Sequence, residues 1–236
     1  MTRIIVKDLA AGYDRKAVLH RLNFVLNEGE LVGLIGDNGA GKTTLMKVLT
    51  GILPPIDGEV SKKNPGDKWG LVPETPQLYY EMTLREHLDF VAMCHQMPQD
   101  VYEQRREALL EQFVMTDQLD KFPGTYSKGM RQKAMLICAL LYQPQILFID
   151  EPFVGLDPKG IQALLQVMET EKRRGATIFM STHILDTAEK VCDRFLLLSR
   201  GKLVGSGSME SLRQKFGISE ASLMELYIRA VEVEHS

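Results

Sequence analysis

Gly36-Asp37-Asn38-Gly39-Ala40-Gly41-Lys42-Thr43-Thr44 stands between the apolar run Leu31 to Ile35 and the apolar-periodic stretch Lys42 to Leu49. A short apolar run that closes on glycines reads as a buried strand, and the stretch after it as a helix. Strand, glycine-rich turn and helix, in that order, make an anion site for phosphate. The glycines let backbone N–H groups turn inward around phosphate oxygens, and the helix N-terminus adds positive partial charge. Gly36, Gly41, Lys42 and Thr43 satisfy G-x-x-x-x-G-K-[ST], in which the lysine reaches the β- and γ-phosphates and the hydroxyl serves magnesium. Gly36, Asn38, Gly39, Ala40, Gly41, Lys42, Thr43 and Thr44 are therefore the candidate nucleotide-binding residues. An ordinary glycine turn is the bland alternative, and the strand–helix context weighs against it.

Outward from this loop, the next informative run is Ile146-Leu147-Phe148-Ile149-Asp150-Glu151-Pro152, an apolar strand ending in two acids. Strands buried on both faces are continuously apolar, and ligands gather at the carboxyl ends of parallel strands. Asp150 then suits magnesium, held through its water shell, and Glu151 suits polarisation of an attacking water. Alone, such a pair is more often a solvated loop; the phosphate loop upstream reverses the balance.

Around these two runs the pattern alternates. Strands are expected at Ile4–Leu9, Leu22–Leu26, Trp69–Val72, Thr177–Ser181, Arg194–Leu198 and about Lys202–Val204. Helices are expected at Pro158–Arg174, Ile184–Val191, Met209–Phe216 and Ala221–Val231. Alternation implies right-handed crossovers and a largely parallel sheet, an α/β fold. Thr83, with Glu86 as its capping-box partner, opens a helical region that runs to about Tyr142. One domain over residues 1–236 is expected, with a core of 1–82 and 143–205, an inserted helical subdomain 83–142 and a helical tail 206–236.

Composition excludes several classes. With 236 residues, 44% hydrophobic and 25% charged, the chain can bury a sizeable core and is not a disordered one. A net charge of -3 supplies no global basic field, so no nucleic-acid partner is expected. Cys94, Cys138 and Cys192 form no CxxC pair, which argues against a zinc site or disulfide framework and fits a reducing compartment. The N-terminus lacks the apolar stretch of a secretory signal. The longest uncharged stretch, Ala134 to Ile149, is interrupted by Gln143-Pro144-Gln145 and too short to cross a bilayer as a helix.

Further motifs carry a resemblance. Tyr126-Ser127-Lys128-Gly129-Met130-Arg131-Gln132, Gly155-Leu156-Asp157 and Ser181-Thr182-His183 follow in the order of the signature segment, D-loop and switch histidine of ABC ATPases. Tyr13 matches the aromatic residue that stacks on adenine in that family. The resemblance covers essentially the whole chain. It implies a P-loop NTPase, RecA-like core with an N-terminal antiparallel β-subdomain and an inserted α-helical subdomain. VPETPQLYYEMTLREHL, DEPFVGLDP and MSTHILDTAEKVCDRF narrow it to the ATPase subunits of the Ecs-type exporters of Gram-positive bacteria.

What the resemblance implies is an ATP-binding, ATP-hydrolysing subunit that drives a separate membrane permease, with ATP and Mg2+ as cofactors. Lys42, Glu151 and His183 become the catalytic residues. Tyr13, Ser127, Gly129 and Asp157 join the nucleotide contacts, and Thr43, Asp150 and Glu74 the metal-linked set. Because the family sandwiches ATP between two domains, a second copy is required and a homodimer is expected. The subunit would be cytoplasmic, peripheral on the inner face of the cell membrane through the permease. Leu78, Tyr79 and Tyr80 are candidates for permease docking, with ordinary burial as the alternative. Structural readings stand beside each role: Ser127 as a plain N-cap, His183 as a satisfied histidine, Tyr13 as a surface aromatic.

Three departures stand out. Lys128 and Met130 replace glycine and glutamine in the signature segment, Val154 replaces a small residue in the D-loop, and Glu74 stands at the Q-loop glutamine. A competing class, a soluble ABC protein acting on ribosomes or nucleic acid, would need two domains in one chain or a long coiled coil, and neither is present. A kinase-like phosphoryl transfer leaves the signature segment and His183 unexplained.

Overall fold

Side chains of a strand alternate between its two faces, and here that alternation splits continuous apolar runs between two cores. Leu31 and Ile35 of β3 (Leu31–Ile35) join one core, while Val32 and Leu34 join the other. The same division holds in β6 (Ile146–Asp150), β7 (Thr177–Thr182) and β8 (Arg194–Ser199), where Leu147, Ile178 and Leu197 face one side and Phe148, Phe179 and Leu196 the other. Both faces of these central strands are covered, so their runs are largely apolar.

The computed structural model describes residues 1–14 and 16–235. The six-stranded sheet has the order β5-β6-β7-β3-β8-β9, with β5 (Trp69–Val72) and β9 (Lys202–Gly207) at its edges. β5, β6, β7, β3 and β8 run parallel, and β9 is antiparallel to β8. A second, antiparallel sheet of order β2-β1-β4 is built from β1 (Thr2–Tyr13), β2 (Lys16–Asn27) and β4 (Asp57–Lys62). The mixed α/β architecture agrees with the expectation, including the N-terminal antiparallel sheet.

Differences lie in extent. β1 and β2 are each 12 residues long, beyond the expected Ile4–Leu9 and Leu22–Leu26. Register shifts interrupt their pairing and break the period-2 pattern by which strands are read. β4 was not expected at all: its burial is mostly exposed, so it has no apolar alternation, and pairing with β1 alone makes it a strand.

Helix α1 (Lys42–Leu49) follows the phosphate loop. The inserted stretch carries α2 (Leu84–Cys94), α3 (Gln99–Gln112) and α4 (Lys128–Leu141). Thr83 caps α2 and the complete capping box with Glu86 is present. After β6 come α5 (Pro158–Arg173) and, between β7 and β8, α6 (Leu185–Val191). The tail forms α7 (Met209–Phe216) and α8 (Leu223–His235), and Leu212, Leu223, Leu226 and Ala230 are buried in the same core as α2 to α4.

Candidate active site

The sheet order places β5, β6, β7 and β3 side by side, with their carboxyl ends on one rim. Val72 pairs with Ile149, Asp150 with Ser181, and Ile35 with Thr182. The residues that follow those ends are Glu74, Glu151, His183 and the phosphate loop. Together they line one cavity of about 410 Å³, with Asn38, Gly39, Gly41, Lys42, Thr43, Thr44, Glu74, Asp150, Glu151 and His183 among its walls. Asp37 and Val18 also line it and were not expected there.

The loop wraps the lysine. Lys42 Nζ donates to the Gly36 carbonyl at 2.6 Å and to the Asp37 carbonyl at 3.3 Å. Only glycine suits the turn into α1: Gly41 has φ +109°, and a Cβ there would lie 2.6 Å from Leu19 Cδ2. Gly36 and Ala40 do not line the cavity. They serve it through the backbone, the Gly36 carbonyl on Lys42 and the Ala40 N–H on the Asp37 carbonyl at 3.1 Å.

Across the cavity, Thr43 Oγ1 donates to Asp150 Oδ2 at 2.9 Å, and Ser181 Oγ donates to Asp150 Oδ1. Ser181 is a contact of Asp150 that sequence reasoning missed; its only signal was its place in Ser-Thr-His at the end of β7. Glu151 has φ +51°, a left-handed conformation that costs about 1–2 kcal/mol for a residue with a Cβ. In a regular strand Asp150 and Glu151 would point to opposite faces. The turn brings both carboxylates into one cavity.

Glu151 Oε2 accepts from His183 Nδ1 at 2.8 Å, and its Oε1 lies 4.0 Å from Lys42 Nζ. An ionised carboxylate only accepts, so the Nδ1–H tautomer of His183 is the one that fits this contact. Its side chain is 59% exposed and open to the cavity, while the contact with Glu151 is one that a satisfied structural histidine would also make.

The donor set suits magnesium. Among the described residues no three His, Cys, Asp or Glu side chains form a closed metal site. The cavity offers instead a hydroxyl and a carboxylate already in contact, Thr43 and Asp150. Mg2+ takes one or two carboxylates and fills the rest of its sphere with water and substrate phosphate, so this incomplete, all-oxygen set fits it. Charge agrees: four acidic residues, Asp37, Glu74, Asp150 and Glu151, line the cavity with one lysine, Lys42, and of these the Glu151 carboxylate lies 4.0 Å from the Lys42 ammonium.

Other expected residues lie outside that cavity. Tyr13, at the end of β1, is half exposed; Lys47 Nζ sits 5.5 Å from its ring centroid and 3.3 Å from its hydroxyl. Ser127 caps α4, its hydroxyl accepting the Met130 N–H at 3.2 Å. A Cβ on Gly129 would meet the Gly155 carbonyl oxygen at 2.5 Å, which seats the start of α4 against the loop before α5. Asp157 caps α5 through the Gly160 N–H at 3.1 Å and pairs with Lys133 at 3.0 Å. The hydrogen bond from Lys133 holds the Asp157 carboxyl below its ordinary value. Ser127, Gly129 and Asp157 thus form a second cluster, on the turns that begin α4 and α5.

Comparison with known proteins gives the family. The family model described as ABC transporter matches residues 19–154. The ABC-type transporter ATP-binding protein EcsA of Bacillus subtilis (strain 168) is 43% identical, over 97% of this chain and 96% of that protein. The uncharacterized ABC transporter ATP-binding protein YthP of the same organism is 41% identical, over 94% of both. A solved ATP binding subunit of an ABC transporter superposes with a TM-score of 0.94 at 43% identity, covering 97% of this chain and 99% of that one.

Proposed function

Because this chain belongs to the ABC transporter family and is an ATPase of it, we propose that it is the ATP-driven subunit of an export-type transporter. It works as a homodimer beneath a separate permease, at the cytoplasmic face of the membrane. In this reading residues 1–82 and 143–205 are the core, 83–142 the helical subdomain and 206–236 the tail. The observation that carries the proposal is the joint cavity in which Lys42, the Thr43–Asp150 pair and the Glu151–His183 pair converge.

ATP enters with its phosphates on the loop N–H groups and the Lys42 ammonium, and Tyr13 takes the adenine. Thr43 and Asp150, with Glu74 lining the same cavity, would hold Mg2+, which would supply positive charge to offset the phosphates. Glu151 accepts a proton from water as the water oxygen bonds to the γ-phosphorus and the bond to the ADP oxygen breaks. His183 holds the Glu151 carboxylate through Oε2. If magnesium dependence of turnover is unchanged in Glu74→Ala, Glu74 has no part in this.

Ser127 and Gly129 do not line the cavity of their own chain, which supports their completing the site of a second copy. An N-cap hydroxyl at a helix N-terminus suits a γ-phosphate. Binding then favours the closed dimer and hydrolysis the open one. Tyr79 and Tyr80, both more than half exposed beside the start of α2, support permease docking there. Among the described residues no helix is long and apolar enough to cross a membrane.

The test is phosphate release from MgATP by the purified chain, alone and with the membrane subunit that co-purifies. We expect turnover that falls at least about 10²-fold in Glu151→Gln while ATP binding persists and an ATP-bound dimer accumulates. No wild-type turnover in either setting, or near-normal turnover in Glu151→Gln, overturns the proposal.

A further inference from the structure

The tail touches the phosphate loop. Tyr227, near the middle of α8 and only 7% exposed, accepts the Asp37 N–H on its phenol oxygen at 3.1 Å. The same hydroxyl faces the Leu198 carbonyl, at the end of β8, at 3.4 Å. Burial pushes the phenol pKa up, so the group stays a neutral hydroxyl across the working pH range.

The N–H of Asp37 and the C=O of Gly36 belong to one planar peptide, and in a trans peptide they point in opposite directions. Tyr227 holds the N–H end, and Lys42 Nζ takes the carbonyl end at 2.6 Å. An ammonium has three N–H donors. Two are spent on the Gly36 and Asp37 carbonyls, which leaves one for the cavity. The loop is also seated on β8, since a Cβ on Gly36 would lie 2.4 Å from the Leu198 carbonyl oxygen. Rotation of the Gly36–Asp37 peptide would swing its carbonyl off Lys42 and free the ammonium to move.

Helix α8 is fixed firmly enough to hold that peptide. Ser222 and Glu225 cap it reciprocally, at 2.8 Å and 3.3 Å. The Leu223 N–H donates to Glu189 Oε2 of α6 at 2.9 Å, and Leu223, Leu226 and Ala230 are buried. α6 follows His183, so the tail braces both sides of the cavity.

We propose that Tyr227 is a positioning residue for the phosphate loop. Its hydroxyl orients the Gly36–Asp37 peptide and, through it, Lys42, so that the C-terminal helix sets the affinity of the loop for nucleotide phosphate. The proposal rests on the ATPase reading above for its ligand, and on the hydrogen bond alone for its effect on the loop.

Tyr227→Phe keeps the ring and removes only the hydroxyl. We expect the Kd for ATP, by calorimetry, and the KM in turnover to rise about fivefold, the worth of one neutral hydrogen bond. We expect kcat to stay within about twofold and Tm to fall by no more than about 4 °C. Amide exchange at Asp37, without nucleotide, should be about tenfold faster. Arg229→Ala, on the exposed side of α8 where Arg229 pairs with Glu232, should behave as the wild type. Unchanged Asp37 exchange and ATP affinity in Tyr227→Phe overturns the proposal, as does a loss of affinity that only tracks a fall in Tm. A wild-type chain that binds no ATP overturns the ATPase reading instead, and the exchange measurement then still decides whether Tyr227 holds the loop.

Discussion

His183 Nδ1 lies 2.8 Å from Glu151 Oε2, and the backbone N–H of His183 approaches the same oxygen at 3.3 Å. One carboxylate oxygen is thus held twice by one residue. Glu151 Oε1 is left for water, with Lys42 4.0 Å away. His183→Ala removes the side-chain hold, and we expect kcat for ATP hydrolysis to fall about 10²-fold with ATP affinity within a few-fold. Steady-state phosphate release and equilibrium nucleotide titration check both halves.

Gly129 has no room for a side chain, because its Cβ would meet a backbone atom, the Gly155 oxygen, at 2.5 Å. Gly129→Ala must push the loop before α5 aside, at about 1–3 kcal/mol. Since Gly129 does not line the cavity of its own chain, ATP affinity of the monomer should persist while turnover falls. Thermal melting, nucleotide titration and turnover on the same preparation separate these effects.

Tyr79 and Tyr80 are exposed by 61% and 55%. Replacing both by Ala should weaken association with the membrane subunit more than it lowers basal ATP hydrolysis. Equal loss of both, seen by co-purification beside an ATPase assay, would point to a folding defect and not to docking.

Glu171 of α5 is 3% exposed and takes Arg105 of α3 at 3.0 Å on one oxygen and Arg174 at 2.7 Å on the other. It ties the inserted helices to the core. Glu171→Ala leaves two part-buried guanidinium groups without their anion, and we expect a loss of about 3 kcal/mol, the low end for a buried pair because both arginines keep some solvent. For a domain of this size that lowers Tm by about 10 °C, measurable by calorimetry.

Alkaline pH should destabilise the fold. Burial pushes the Cys138 thiol from 9.0 to about 12, and the Tyr126 and Tyr142 phenols from 10.0 to about 12. Between about pH 9 and 12 the unfolded chain therefore binds fewer protons than the folded one, so stability falls as pH rises through that window. Tm should be flat from pH 7 to 8.5 and drop from pH 9 to 11, with a shallower onset in Cys138→Ala. A flat profile to pH 11 would contradict this.

The sequence by itself determined the phosphate loop, the acidic end of β6 and the alternation of strands and helices apart from β4, because each rests on neighbours in the chain. Glycine conformation, N-caps and the period of apolar residues are local properties, and α1, β3, β5 and α7 fall at the residues expected from them. Only the tertiary structure decided which distant groups meet. β4 is polar and becomes a strand by pairing with β1. Ser181 finds Asp150 because β6 and β7 lie in register, and Glu151 joins Asp150 in the cavity because its backbone leaves the strand conformation. Tyr227 reaches Asp37 across 190 residues. Such contacts leave no periodic trace, since a hydrogen bond between remote segments depends on how the two cores pack and not on the residues flanking either partner.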